Sequence, residues 1–241
     1  MTGVRLSAEQ TIGSGEESTP RTLAEKVYRQ LRIDIVLGRI PPGTRLRSEK
    51  LRQTYSIGIS PLREALFRLA SDGLVISSEQ KGFRVAPLDA EHVRDTMETR
   101  LTIETRALER SIEFGDVSWE AAIVATYHKL TSIKSPYDTE DGAEIWARYH
   151  RDFHMSLIAS CRSDWLTQFS KLLFDQAERH RMIVVRYRDT FPYKRNAANE
   201  HELLVKATLA RKKNEAVELL SSHYRETANH VIKLIGIHFG K

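Results

Sequence analysis

The 241-residue chain holds a single cysteine, Cys161. One thiol excludes an intramolecular disulfide and fits a reducing cytoplasm. No run of about 18 apolar residues occurs, so no helix is expected to span a membrane. The first residues lack the apolar core of a signal peptide. Residues 1–19 (MTGVRLSAEQTIGSGEEST) hold few large apolar side chains and are expected to form a disordered tail. Internal repeats are missing too. Hydrophobic residues still make up 41% of the chain, enough for a packed core, and the length suits two domains.

Net charge is +5, and its distribution says more than its size. Residues 1–19 carry −2, residues 20–87 carry +7, and residues 88–241 hold 23 charges of each sign. The positive excess belongs to one short segment, the footprint of a polyanion-binding module joined to a neutral one. The division predicted is a tail (1–19), a DNA-binding domain (20–87) and an all-α domain (88–241).

The basic segment predicts a helix from Thr22, which stands at capping-box spacing from Glu25. Leu23, Val27, Leu31 and Ile35 form its apolar stripe, and Gly38 stops it. IPPGTRL is a turn into a short extended piece. Ser48 is expected to cap a second helix, with Leu51 and Tyr55 facing inward. SIGI then turns the chain. In SPLREALFRLASDG, Ser60 suits the N-cap and Pro61 the first helical position. Leu62, Ala65, Leu66, Leu69 and Ala70 make the buried side, leaving Ser60, Arg63, Glu64 and Phe67 on the other. Two helices joined by a tight turn predict a helix-turn-helix, whose second helix would lie in the major groove. LVISSEQKGFRVAP reads as a hairpin with Lys81 and Gly82 at its tip, which completes a winged helix. A cation and close backbone approach there suit a phosphate.

The stretch ISPLREALFRLASDGLVISSEQKGFRVAPL resembles the winged helix of GntR-family bacterial repressors. The likeness covers about residues 22–87. It implies DNA contacts from Ser60, Arg63 and the Lys81–Gly82 wing. Many relatives carry an arginine where Ile59 stands, and Arg47 is the candidate to replace that contact.

Residues 88–241 predict six helices, near 90–114, 118–134, 142–160, 164–190, 197–211 and 213–238. Asp89 caps the first and Gly115 ends it. KSPYDTEDG and TFPYKRN are loops. Val93, Met97, Leu101, Ala107 and Leu108 are spaced for a bundle. The expected fold is therefore mainly α, a winged helix followed by a six-helix bundle. In RYHRDFHMSL, His150 and His154 lie four apart and share a helix face. His201 opens EHELL in the fifth helix and His223 lies in SSHYRE of the last. Two ligands from one helix and one from each of two others can build a metal site inside a bundle, and imidazoles suit Zn, Ni, Cu or Fe. The spacing alone leaves a pH-sensitive patch and a polar surface open. His92, His128, His180, His230 and His238 read as surface or core residues, and Asp152 does not share a face with His154.

FHMSLIASC, followed by EHELL and SSHYRE, resembles the FCD effector domain of the FadR subfamily of GntR repressors. Six helices fit the shorter, VanR-like branch. The resemblance implies one divalent metal per chain, bound by His154, His201 and His223, with His150 where relatives carry aspartate. Zinc is expected first, with nickel or iron as alternatives. Four neutral imidazoles would leave the site at +2 and favour an anion. Arg100, four before Glu104, matches a feature of the family. Arg100 and Arg179 are the expected effector contacts.

The function expected is a metal-containing transcriptional repressor, not an enzyme. It would bind operator DNA as a homodimer in the cytoplasm and be released by a small carboxylate. Two other readings stand beside it. One is a metallohydrolase with a DNA-binding appendage, but HExxH is missing and no glutamate lies between His150 and His154 to act as base. The other is a bundle with a purely structural metal.

Overall fold

The computed structural model describes residues 22–78, 82–133, 139–186 and 195–238. The expected N-terminal tail, Lys81, most of the loops KSPYDTEDG and TFPYKRN and residues 187–190 of the helix expected to 190 lie outside these, and the EDG of the first loop starts α6 instead. The order is α1 (Leu23–Val36), β1 (Arg45–Leu46), α2 (Ser48–Tyr55), α3 (Ile59–Ser71), β2 (Val75–Ser78), β3 (Gly82–Val85), α4 (Ala90–Phe114), α5 (Val117–Thr131), α6 (Glu140–Leu157), α7 (Asp164–Arg186), α8 (Ala197–Leu209) and α9 (Lys213–His238).

Thr22 caps α1 as its spacing predicts, its hydroxyl accepting from the Glu25 amide at 3.1 Å. Two caps fall one residue or more earlier than expected. Arg47 holds the N-cap of α2, so Ser48 is its first residue. Gly58 holds the N-cap of α3, which puts Ser60 and Pro61 at the second and third helical positions. Pro61 costs nothing there, because the first amides of a helix have no intrahelical acceptor. The turn between the two helices takes its left-handed residue at Ser56 (φ 49°) rather than at the glycine.

The extended piece before α2 becomes an edge strand. β1 pairs antiparallel with β3, and β3 with β2, in the order β1-β3-β2. The wing is thus three-stranded, anchored where the Val85 amide donates to Thr44 O at 2.9 Å. Leu31, Ile35, Leu62, Leu66, Leu69 and Leu74 are wholly buried beneath it. Fully burying each such side chain stabilises by roughly 1.5–3 kcal/mol.

In the bundle, α4 packs along α7 and α9, and α5 along α6. Asp89 caps α4 through the His92 amide at 2.7 Å, and Gly115 is its C-cap. Phe153, Leu157, Leu204, Leu220, Ile123 and Trp119 form the main core. The Trp119 indole donates to Ser156 O at 2.8 Å, tying α5 to α6.

Helix α7 joins the two halves. Arg32 on α1 grips Asp175, its Nε at 2.7 Å, and Arg151 on α6 binds the same carboxylate. Gln176 donates to Asp72 O at 2.7 Å, and Arg179 to Ala86 O at 2.6 Å. Arg39 bonds Glu144 at 2.8 Å.

Candidate metal and effector centre

His150 and His154 stand one turn apart on α6, His201 on α8 and His223 on α9. All four are buried, and each offers a ligand atom within 4.8 Å of the others'. His150 Nε2 and His154 Nε2 are 3.1 Å apart. Two imidazoles ligating one ion at about 2.0–2.1 Å sit roughly 3.0–3.4 Å apart at ordinary coordination angles. Three buried nitrogens, His150 Nδ1, His154 Nδ1 and His201 Nε2, have no hydrogen-bond partner among the described residues. Such orphans cost about 1–3 kcal/mol each in a folded protein. The four-imidazole donor set, with the Nε2 atoms of His150 and His154 at ligand spacing and His201 Nε2 unmet, therefore fits a divalent transition metal.

The surroundings keep the rings neutral. Burial drives the pKa of His154 and His201 well below the usual histidine value and lowers that of His150. Burial also takes His223 down to about 4, against the pull of Glu200. His223 Nδ1 donates to Glu200 at 2.8 Å, which leaves Nε2 free to ligate. His150 Nδ1 approaches Glu178 at 3.4 Å, too far for a firm hydrogen bond.

The histidines open onto a cavity of about 260 Å³. Arg100 lines it, as expected. Its guanidinium bonds Glu104 at 2.6 and 3.2 Å and lies 3.7 Å over the Tyr224 ring, while the Tyr224 hydroxyl donates to the same carboxylate. Burial opposes the charge on Arg100, but Glu104 outweighs it and raises the pKa.

Arg179 does not line the cavity, which corrects the expectation for that residue. Phe174, Ala177, Glu178, Arg181 and Val185 share the cavity face of α7 at helical spacing, and Arg179 falls on the other side beside Asp175. Its Nη1 donates instead to Ala86 O and its Nη2 to Gln176 at 3.2 Å. Burial brings its pKa down to about 10. The arginines that join Arg100 in the lining are Arg181 and Arg195. Sequence reading missed both. Arg181 pairs with Glu178 and sits 4.4 Å over the Trp146 ring. Arg195 pairs with Glu200 and donates to Thr227 at 2.7 Å and His223 O at 2.8 Å. Only the i,i+3 spacing of Glu178 and Arg181 was visible beforehand.

On the winged helix, Arg47, Ser60, Arg63 and Gly82 are all exposed. Gly82 has φ 74°, a left-handed conformation that disfavours side chains, and open space where a Cβ would stand. Phe67, 49% exposed, packs edge-on against Phe83 at 5.3 Å and so ties the recognition helix to the sheet. Arg45 and Arg84 are paired neighbours on the exposed sheet and were not singled out from sequence.

A winged helix joined to a helical bundle with a polar-floored cavity is the build of a transcription regulator. The chain belongs to the gntR family of bacterial regulatory proteins, which it matches over residues 23–85, and it carries an FCD domain over residues 95–226. It is 35% identical to the uncharacterized HTH-type transcriptional regulator BphR of Paraburkholderia xenovorans (strain LB400), over 90% of this chain and 88% of that one. It is 34% identical to the HTH-type transcriptional repressor GlaR of Escherichia coli K12, over 81% of this chain and 90% of that one. The fold is shared with E. coli McbR/YncC, with a TM-score of 0.71 at 19% identity, covering 88% of this chain and 98% of the other. The family, BphR and GlaR are transcriptional regulators, not enzymes. No helix among the described residues is long and apolar enough to cross a membrane.

Proposed function

We propose that this regulator is a metal-containing, ligand-responsive repressor that binds operator DNA as a homodimer in the cytoplasm and releases it when a small carboxylate enters the bundle. His150, His154, His201 and His223 would hold one divalent transition metal, zinc before nickel or iron. Bound there, the ion would supply fixed positive charge and an open position for an anionic oxygen. Arg100 would orient the ligand from α4, and the Glu200 carboxylate would keep the His223 imidazole aligned. The DNA contacts are assigned to Arg47, Ser60, Arg63, Lys81 and Gly82, with each winged helix on one half-site. The domain division at residues 20–87 and 88–241 is part of the same reading.

The observation that carries it is the double role of α7. Phe174, Ala177, Glu178 and Arg181 face the cavity, while Asp175, Gln176 and Arg179 hold α1 and the residues flanking the wing. A ligand that shifts α7 by a small amount must move those bonds. It can bias the spacing of two winged helices only through different affinity for the two arrangements. The test is operator binding by the full-length protein, titrated with carboxylates, with and without bound metal. Release that depends on both ligand and metal is expected. Release equally strong after metal removal, with no metal in the purified protein by elemental analysis, overturns the metal role. An operator affinity indifferent to every carboxylate overturns the effector.

A further inference from the structure

We infer that the cavity takes a ligand with one anionic group and an apolar body, an aromatic or aliphatic monocarboxylate, and rejects a second remote carboxylate or a chain of hydroxyls. This rests on the proposal that the cavity binds a carboxylate at all.

The charges around the cavity cancel. Arg100 is matched by Glu104, Arg181 by Glu178 and Arg195 by Glu200. Glu104 engages Arg100 through Nε and Nη2 and leaves the Nη1 edge of that guanidinium, which lies over the Tyr224 ring, on the side of the cavity lining. Among the described residues, anionic oxygen is therefore best placed near the histidines and Arg100.

The hydroxyls are committed as well. Tyr224 donates to Glu104. The Thr227 hydroxyl accepts from Arg195 and donates to His223 O at 2.9 Å. The remaining lining among the described residues is Trp146, Phe174, Ala177, Val184, Val185 and Ala197. The Trp146 indole is held in place, stacked on His150 at 4.5 Å and approached by Arg181. A carboxylate set against this wall loses its water and meets mainly carbon among the described residues, since Arg181 is already paired with Glu178, which is costly. A methylene chain or an aromatic ring there gains by burial. The volume, about 260 Å³, lies just below the roughly 300–1,000 Å³ of sites for drug-sized ligands, so the body must be small.

The test is calorimetric titration of the full-length, zinc-loaded protein with probes matched in size. Hexanoate is compared with adipate, which differs by a second terminal carboxylate, and with gluconate, which adds hydroxyls. Benzoate is compared with neutral benzamide. Hexanoate is expected to bind roughly tenfold or more tightly than adipate and gluconate, the scale of leaving a polar group buried and unmatched. In Val185→Arg, a new cation on the apolar wall is expected to narrow or reverse the hexanoate–adipate ratio. Adipate or gluconate binding as tightly as hexanoate to the unaltered protein overturns the inference and leaves the carboxylate reading standing. Benzamide binding as tightly as benzoate, or no heat from any carboxylate at millimolar concentration, overturns that reading and the inference with it.

Discussion

The winged helix and the bundle solve opposite problems with their polar residues. Among the described residues of the winged helix, every side chain in the buried class is apolar, and no histidine or tryptophan occurs between residues 20 and 87. Its +7 charge is carried on the outside, where it can meet a polyanion. The bundle has no net charge but buries Arg100, Glu104, Glu178, Arg179, His180 and the four clustered histidines. Buried ion pairs are a weak source of stability, because desolvation offsets the attraction. Arg100, Glu178 and the four clustered histidines line one cavity, whereas Arg179 and His180 do not. On the function proposed, the winged helix is the platform and the bundle the receptor.

Acid should separate the two most strongly. In the metal-free protein, five buried histidines (150, 154, 180, 201 and 223) have folded pKa values below the unfolded value of 6.5. The unfolded chain therefore takes protons first as pH falls below 6.5. Bundle stability is constant above that point and lost beneath it, each histidine contributing up to about 1.4 kcal/mol per pH unit. All three tryptophans, 119, 146 and 165, lie in the bundle, so their fluorescence in urea melts at pH 7.5 and pH 5.5 reads that half alone. Equal midpoints would contradict the neutral buried rings.

Removing a ligand comes next. His154→Ala or His201→Ala should reduce the metal content from about one ion per chain to trace amounts and abolish the thermal stabilisation that added zinc produces. Operator binding without ligand should keep its dependence on salt, since the winged helix is untouched. Full metal content by elemental analysis in either variant would dissolve the site.

On the other side, Arg63→Ala should weaken operator binding by roughly 1–3 kcal/mol and leave metal content unchanged. Titration of operator and random DNA at one salt concentration decides its role. Loss on both would make Arg63 a phosphate contact, and loss on neither would displace α3 from the groove.

The smallest effect is expected where the halves meet. Asp175→Asn weakens the links to Arg32 and Arg151 without entering the cavity. The ligand concentration for half-release of operator should shift by an amount equivalent to about 0.5–2 kcal/mol, with metal content unaltered. An unshifted midpoint would mean that the halves communicate by another route.

Much of this architecture is local and could be read in advance. Capping at Thr22 and Asp89, the stop at Gly115 and all six bundle helices follow from short-range patterns that a helix imposes on its own residues. The His150–His154 pairing is local in the same way, since residues four apart must share a face. The caps of α2 and α3 shifted because Arg47 and Gly58 already hold extended backbone ahead of each helix. That arrangement belongs to the sheet and the turn rather than to a serine's preference.

By itself, then, the amino-acid sequence determined the elements, the charge partition and the presence of four histidines on three helices. Tertiary packing decided which side of α7 faces the cavity. Arginines occur on both sides of that helix, so no periodic signal distinguishes Arg181, which lines the cavity, from Arg179, which reaches Ala86. Packing also brought Arg195 and Glu200 against His223, partners more than twenty residues away whose pairing no local pattern records. Helices form from neighbours in the chain, but a cavity forms between helices. Its lining depends on the rotation of each helix about its own axis, and the whole core sets that rotation.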